Sequence, residues 1–145
     1  MNTWTKRGTI IMLAALIIVV GVVVPFRNSK AAILYHNTAS ATVSTTINSN
    51  GKLQTTLNVV GINGVTTQIE TELYVEKSIL GIFWERVDIG YTNDLWLDST
   101  TSYLYSNTFT TNLSSSGTYR VSVKFIVSGT GGSTDIITKT NTVTY

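Results

Sequence analysis

Between Gly117 and Gly129 the chain alternates with a period of two. Tyr119, Val121, Val123, Phe125 and Val127 fall on one face, and Arg120, Ser122, Lys124 and Ser128 on the other, with Ile126 the single exception. That is the pattern of a strand with one buried and one wet side. Such a strand needs partners and a second layer behind it. The same period recurs upstream. Lys52 to Val60 places Leu53, Thr55, Leu57 and Val59 together, and Asn48-Ser49-Asn50-Gly51 predicts a tight turn back to a first strand, Ala41 to Ile47. Residues 33–40 read as a frayed leader. After the turn Gly61-Ile62-Asn63-Gly64, a third strand from Thr67 to Lys77 puts Ile69, Thr71, Leu73 and Val75 inward.

Ser78-Ile79-Leu80-Gly81 reads as a turn of unusually apolar residues. Ile82 to Ile89 returns as a fourth strand, with Phe83, Val87 and Ile89 on one side and Trp84, Arg86 and Asp88 on the other. Residues 90–101 form the longest irregular connection. Ser102 to Leu113 is a fifth strand, the Gly117–Gly129 segment a sixth, and Asp135 to Tyr145 a seventh, with Ile137 and Val143 inward. Seven short strands, regular turns and no helical periodicity in the body predict an all-β, seven-stranded sandwich.

The N-terminus has a different character. Lys6 and Arg7 precede an uncharged apolar run from Thr9 to Phe26, broken by Pro25 and followed by Ser29-Lys30-Ala31. A charged start, an apolar middle and a small-residue exit form a secretory signal, with cleavage between Ala31 and Ala32. The alternative is a retained anchor helix, since eighteen helical residues span about 27 Å, close to the roughly 30 Å of a bilayer core. The chain therefore divides into a signal peptide or anchor, residues 1–31, and a β-sandwich, residues 32–145. The expected location is secreted, or anchored with the body outside. The membrane enters only through the N-terminal segment.

Charge changes the picture once this segment is set aside. The formal net charge of +2 contains Lys6, Arg7, Arg27 and Lys30, with no acid before Ala32, so the body carries six basic residues against eight acidic ones. A mildly acidic body offers no footprint for nucleic acid. The chain has no cysteine, which excludes disulfides, thiol nucleophiles and cysteine metal sites.

Gly117-Thr118-Tyr119-Arg120-Val121-Ser122-Val123 resembles the sixth-strand signature of immunoglobulin-like and fibronectin-III-like domains, a turn followed by Gly-x-Tyr-x-Val. The resemblance implies that Tyr119 forms a corner, its hydroxyl bonding backbone before the strand. The hairpin from Leu73 to Val87, with Trp84 three residues before Val87, is similar to that of small secreted Gram-positive proteins of this shape, most without an assigned function. The chain departs from antibody-type domains in lacking the cysteine pair and a tryptophan within the third strand.

Catalytic chemistry finds little support in the residue types. His36 is the only histidine and falls in the leader. Glu70, Glu72 and Glu76 share a strand face as a solvated row, and Asn93, Asp94 and Asp98 in the long connection read as loop chemistry rather than a cation site. The reading is of a non-enzyme without cofactor, catalytic residues or metal. Aromatic residues remain, with Trp84, Tyr91, Trp96, Tyr103 and Tyr105 falling between the fourth and fifth strands. They serve either the core or a stacking platform, with Trp84, Tyr91 and Trp96 as candidate binding residues. The expected partners are a cell-wall glycan or another surface protein, and the function classes are an interaction or structural module, a glycan- or ligand-binding module, and a filament subunit whose leader, residues 32–40, joins a neighbour's sheet.

If residues 1–31 are a signal peptide, the exported protein begins at Ala32. Intact-mass measurement checks this; a mass that retains residues 1–31 selects the anchor.

Overall fold

The computed structural model describes residues 34–145, which form one unit with its own core. The proposed signal or anchor helix, and the cleavage site at Ala31 and Ala32, lie outside the described residues. Eight strands follow one another: β1 Thr38–Ile47, β2 Lys52–Gly61, β3 Thr66–Ile79, β4 Phe83–Arg86, β5 Trp96–Thr100, β6 Leu104–Asn112, β7 Thr118–Gly129 and β8 Asp135–Thr144. They make two antiparallel sheets. One has the order β1-β2-β6; the other has the order β4-β3-β7-β8, with β5 also paired to β3.

The alternation in β7 does what it predicts. Tyr119, Val121, Val123, Phe125 and Val127 are all buried, and opposite them stand Leu53, Leu57 and Val59 of β2 and Phe109 of β6. On β3 the inward set Ile69, Thr71, Leu73 and Val75 is likewise buried. The fold is thus all-β and sandwich-like, with the core between the sheets. The Tyr119 hydroxyl donates to the Ser115 carbonyl, four residues before it. Asn48 closes the β1–β2 turn, its Oδ1 accepting from the Asn50 and Lys52 amides.

Three expectations need correction. The connection after Gly90 contains a strand, β5, so the described residues form eight strands rather than seven. Its inward positions are Trp96, Asp98 and Thr100, and the carboxylate in the middle breaks the apolar period by which a buried strand is read. The fourth strand is only four residues long and wholly exposed. Phe83 is on its inner side but 65% exposed, because the β3–β4 hairpin runs past the end of β7 and overhangs.

The leader is the third. Residues 36–38 are tied into their own domain rather than frayed. The His36 and Asn37 amides donate to the two Asp135 carboxylate oxygens at 2.9 and 2.8 Å, and the Thr38 hydroxyl donates to the same group at 2.9 Å. Asn37 is fully buried. Its Nδ2 donates to the Ser133 carbonyl at 2.9 Å, its Oδ1 accepts from the Gly131 amide at 3.1 Å, and its own carbonyl takes the Ile62 amide and the Thr66 hydroxyl. A strand lent to a neighbour would have to give up these bonds.

Burial by itself would raise the Asp135 pKa. The His36 and Asn37 amides and the Thr38 hydroxyl outweigh it and hold the carboxyl below its ordinary value. Because the folded value is depressed, this stabilisation is complete above the unfolded value of about 4 and is lost as pH falls through the folded one. Asp135→Asn should cost about 2–3 kcal/mol at pH 7, as expected for hydrogen bonds to a charged group. Thermal melts between pH 7 and pH 2 should show a flatter pH dependence for the variant than for the wild type. The slope should not vanish, since Asp98 is also depressed and titrates in the same sense.

Candidate functional site

The outer face of the five-stranded sheet carries Glu70, Glu72, Glu76, Arg86, Arg120 and Lys124, and strand register brings them together. Glu76 on β3 lies opposite Arg86 on β4 and Arg120 on β7. Arg120 binds Glu76 through Nε at 2.8 Å and Nη2 at 2.7 Å, and its guanidinium lies 4.3 Å from the centre of the Trp84 ring. Arg86 stacks 3.5 Å from the centre of the Tyr74 ring and donates from Nη1 to the Asp94 carbonyl. Beyond the Tyr74–Ser122 pair on the same face, Lys124 pairs with Glu72 at 3.1 Å. The glutamate row is therefore only in part a solvated face: Glu72 and Glu76 are committed to cross-strand pairs. A depression of about 290 Å³ lies beside Tyr74, Arg86, Ser122 and Lys124, and its two cations are already engaged, Arg86 on Tyr74 and Lys124 with Glu72.

The stacked arginines brace the base of the overhanging hairpin. At its tip, Leu80 and Gly81 both adopt positive φ, 55° and 71°, and the Ile82 amide closes on the Ile79 carbonyl. A leucine rarely occupies this left-handed region, and here the conformation turns its side chain into solvent. Leu80, Ile82 and Phe83 are 86%, 71% and 65% exposed. Three large apolar side chains thus stand together on a convex projection. The apolar character of the turn is visible in the sequence; what the sequence does not show is that the opposing sheet ends short of it.

The aromatic residues singled out in the sequence do not form one platform. Trp84 is on the outer face, 36% exposed, with one ring face taken by Arg120. Trp96 and Tyr91 meet elsewhere, around Phe109, with ring centres 5.6 and 6.4 Å from it. Trp96 lies opposite Leu73 and is half-buried, while Tyr91 is 49% exposed. Tyr105 belongs to the core, edge-on to Phe125 at 6.4 Å. Its hydroxyl donates to Asp98 at 2.9 Å, and burial followed by that hydrogen bond and charge pushes its pKa up to about 12, so the phenol stays a donor. Tyr103 is half-buried, and its carbonyl receives the Gly61 amide.

The remaining candidates are placed as plainly. His36 is fixed at the Asp135 knot rather than in a mobile leader. Asn93 and Asp94 sit in a single 3-10 turn, whereas Asp98 is a strand residue bound to Tyr105 and Asn107. Among the described residues no three histidine, aspartate or glutamate side chains converge to hold a metal, and no helix is long and apolar enough to cross a membrane.

No protein-family model matches the chain, and no curated protein is similar to it in sequence.

Trp96 is half-buried against Phe109, so Trp96→Ala should lower stability by about 3 kcal/mol through a cavity. Tyr91→Ala, at the exposed edge of the same cluster, should cost under about 1 kcal/mol. Denaturant unfolding of both variants checks the pair.

Proposed function

We propose that the chain is a non-catalytic exported module that works by surface contact, with the β3–β4 tip engaging an apolar pocket on another surface protein. The observation that carries this reading is the exposure of Leu80, Ile82 and Phe83 on a hairpin braced from behind by Arg120 on Trp84 and Arg86 on Tyr74. Clustered exposed apolar side chains mark interaction sites. Burying one such side chain is worth about 1.5–3 kcal/mol, and a braced hairpin loses little further freedom on binding. Leucine and isoleucine have no ring face for a sugar, which favours a protein pocket over a glycan at this tip.

The strand order supports an immunoglobulin-like or fibronectin-III-like reading of the sandwich: β1-β2-β6 against β4-β3-β7-β8, with the Tyr119 hydroxyl on the Ser115 carbonyl. Secretion, or display from an uncleaved anchor, and kinship with small exported Gram-positive proteins are parts of the same proposal and rest on the sequence. A second reading, contact with cell-wall glycan, keeps one supporting feature, the partly exposed Tyr91 beside Trp96 at Phe109.

The test is retention of the protein on its own cells. The double variant Leu80→Ser/Ile82→Ser should melt within about 0.5 kcal/mol of wild type, because the tip is outside the core. It should lose at least about tenfold in retention, as expected when central interface side chains are removed. Full retention would overturn the assignment of the tip. Loss of binding to purified cell-wall polysaccharide by Tyr91→Ala alone would favour the glycan reading instead.

A further inference from the structure

Sheet margins decide which strands another chain can join. Three of the four margins here are closed or interrupted. β1 and β8 are sewn to each other, Asn141 Nδ2 donating to the Val43 carbonyl at 3.1 Å and to the Thr45 hydroxyl at 3.4 Å. The margin beyond β3 is split into two short strands, β4 and β5, that carry Glu85, Arg86 and Asp98. β6 is different. It pairs with β2 from Leu104 to Asn112 without a register shift, and it contains no proline and no charged residue.

The free side of β6 can be read from its amides. The Leu104 amide bonds the Ser102 hydroxyl at 3.1 Å, and the Thr108 amide bonds the Asn107 Oδ1 at 2.7 Å, so neither points to β2. Ser106 and Thr110 have the same parity, and in an antiparallel strand their amides face the same open side. The Asn107 carboxamide therefore sits across the middle of an otherwise joinable edge. It is held there from the opposite sheet, since Asn107 Nδ2 donates to Asp98 Oδ2 at 2.6 Å.

We propose that the free edge of β6 is a strand-addition surface for a second copy of this chain, gated by the Asp98-held carboxamide of Asn107. A second copy fits because antiparallel pairing across a two-fold axis sets the edge against itself, where any charge would meet its own like. β6 has none, β1 has none, and β2 has only Lys52 at its end. The composite six-stranded sheet would be uncharged over its centre. With the carboxamide in place association is weak, and with it gone Thr108 offers its amide to the neighbour.

The experiment compares full-length wild type, Asn107→Ala and Asn107→Ala/Ser106→Lys by sedimentation in mild detergent, with thermal melts as the check on folding. Asn107→Ala should raise the association constant at least tenfold over wild type. Adding Ser106→Lys should remove the gain, because it places a charge near the middle of the edge in both copies, and the like charges repel across it. Any association through residues 9–26 would be common to all three proteins and would not change between them. A folded Asn107→Ala protein that associates no more than wild type would overturn the proposal. So would a gain that survives Ser106→Lys. If Asn107→Ala melts early, Asn107→Thr, which keeps strand propensity but lacks the carboxamide, is read in the same way.

Discussion

One carboxylate joins strands that belong to different sheets. Asp135 opens β8 in the five-stranded sheet, and its two oxygens hold the segment that opens β1 in the three-stranded one. Burying a charge is costly unless it is hydrogen-bonded, and here two amides and a hydroxyl reach its two oxygens. Asn37 completes the knot by binding the β7–β8 turn and the β2–β3 turn at once. Such proximity of main chains leaves no room for side chains. A Cβ on Gly129 would lie 2.5 Å from both Asn37 Oδ1 and the Val65 carbonyl, and one on Gly131 would run into the His36 carbonyl. These two glycines are there for close approach more than for turn flexibility. The knot fixes how the two sheets face each other at this pole, and the alternating strands then fill the space between them.

Charge is distributed with the same asymmetry. The five-stranded sheet carries the paired glutamates, lysine and arginines on its outer face; the strands of the three-stranded sheet hold a single lysine, at the start of the central strand. Exposed ion pairs add little stability, typically under about 1 kcal/mol each. Their value here is positional. Arg120 is held by Glu76 and lies on Trp84, and Arg86 lies on Tyr74, so the outer face braces a hairpin that the core cannot reach. The uncharged sheet, in contrast, presents hydroxyls and amides that repel no neighbour.

Much of the fold was legible because period two survives wherever a strand is flanked by the core. β7 and β3 read directly, down to the inward residues, and the Asn-Gly turn between β1 and β2 carried its own signal. β5 was hidden by Asp98, whose inward carboxylate is satisfied by Tyr105 and Asn107, partners that only the folded chain supplies. The fixed start of β1 is hidden in the sequence for a similar reason. Asn37 and Thr38 look like loop residues until Asp135, almost a hundred positions away, is brought to them. The candidate site was less legible. Closeness in sequence gathered Trp84, Tyr91 and Trp96 into one patch, yet β4 and β5 turn the two tryptophans to opposite faces of one sheet.

That separation changes which residues bear on function. An aromatic side chain in a small sandwich is a large apolar body with well-defined geometry, and this chain uses its aromatics as braces: Trp96 on Phe109, Tyr105 on Phe125, Trp84 under Arg120. Leu80, Ile82 and Phe83 at the tip are left largely uncovered by the core, as are the more scattered Leu97, Leu104 and Ile136. β3 has fourteen residues, about 45 Å at 3.3 Å each, and it starts beside the Asn37 knot and ends at Ile79. The Asn37 knot therefore lies at one end of β3, and Leu80, Ile82 and Phe83 are displayed beyond the other. Under the proposed contact role, the pole bound by buried hydrogen bonds stays fixed while the opposite pole is the one offered to a partner, and β3 joins the two.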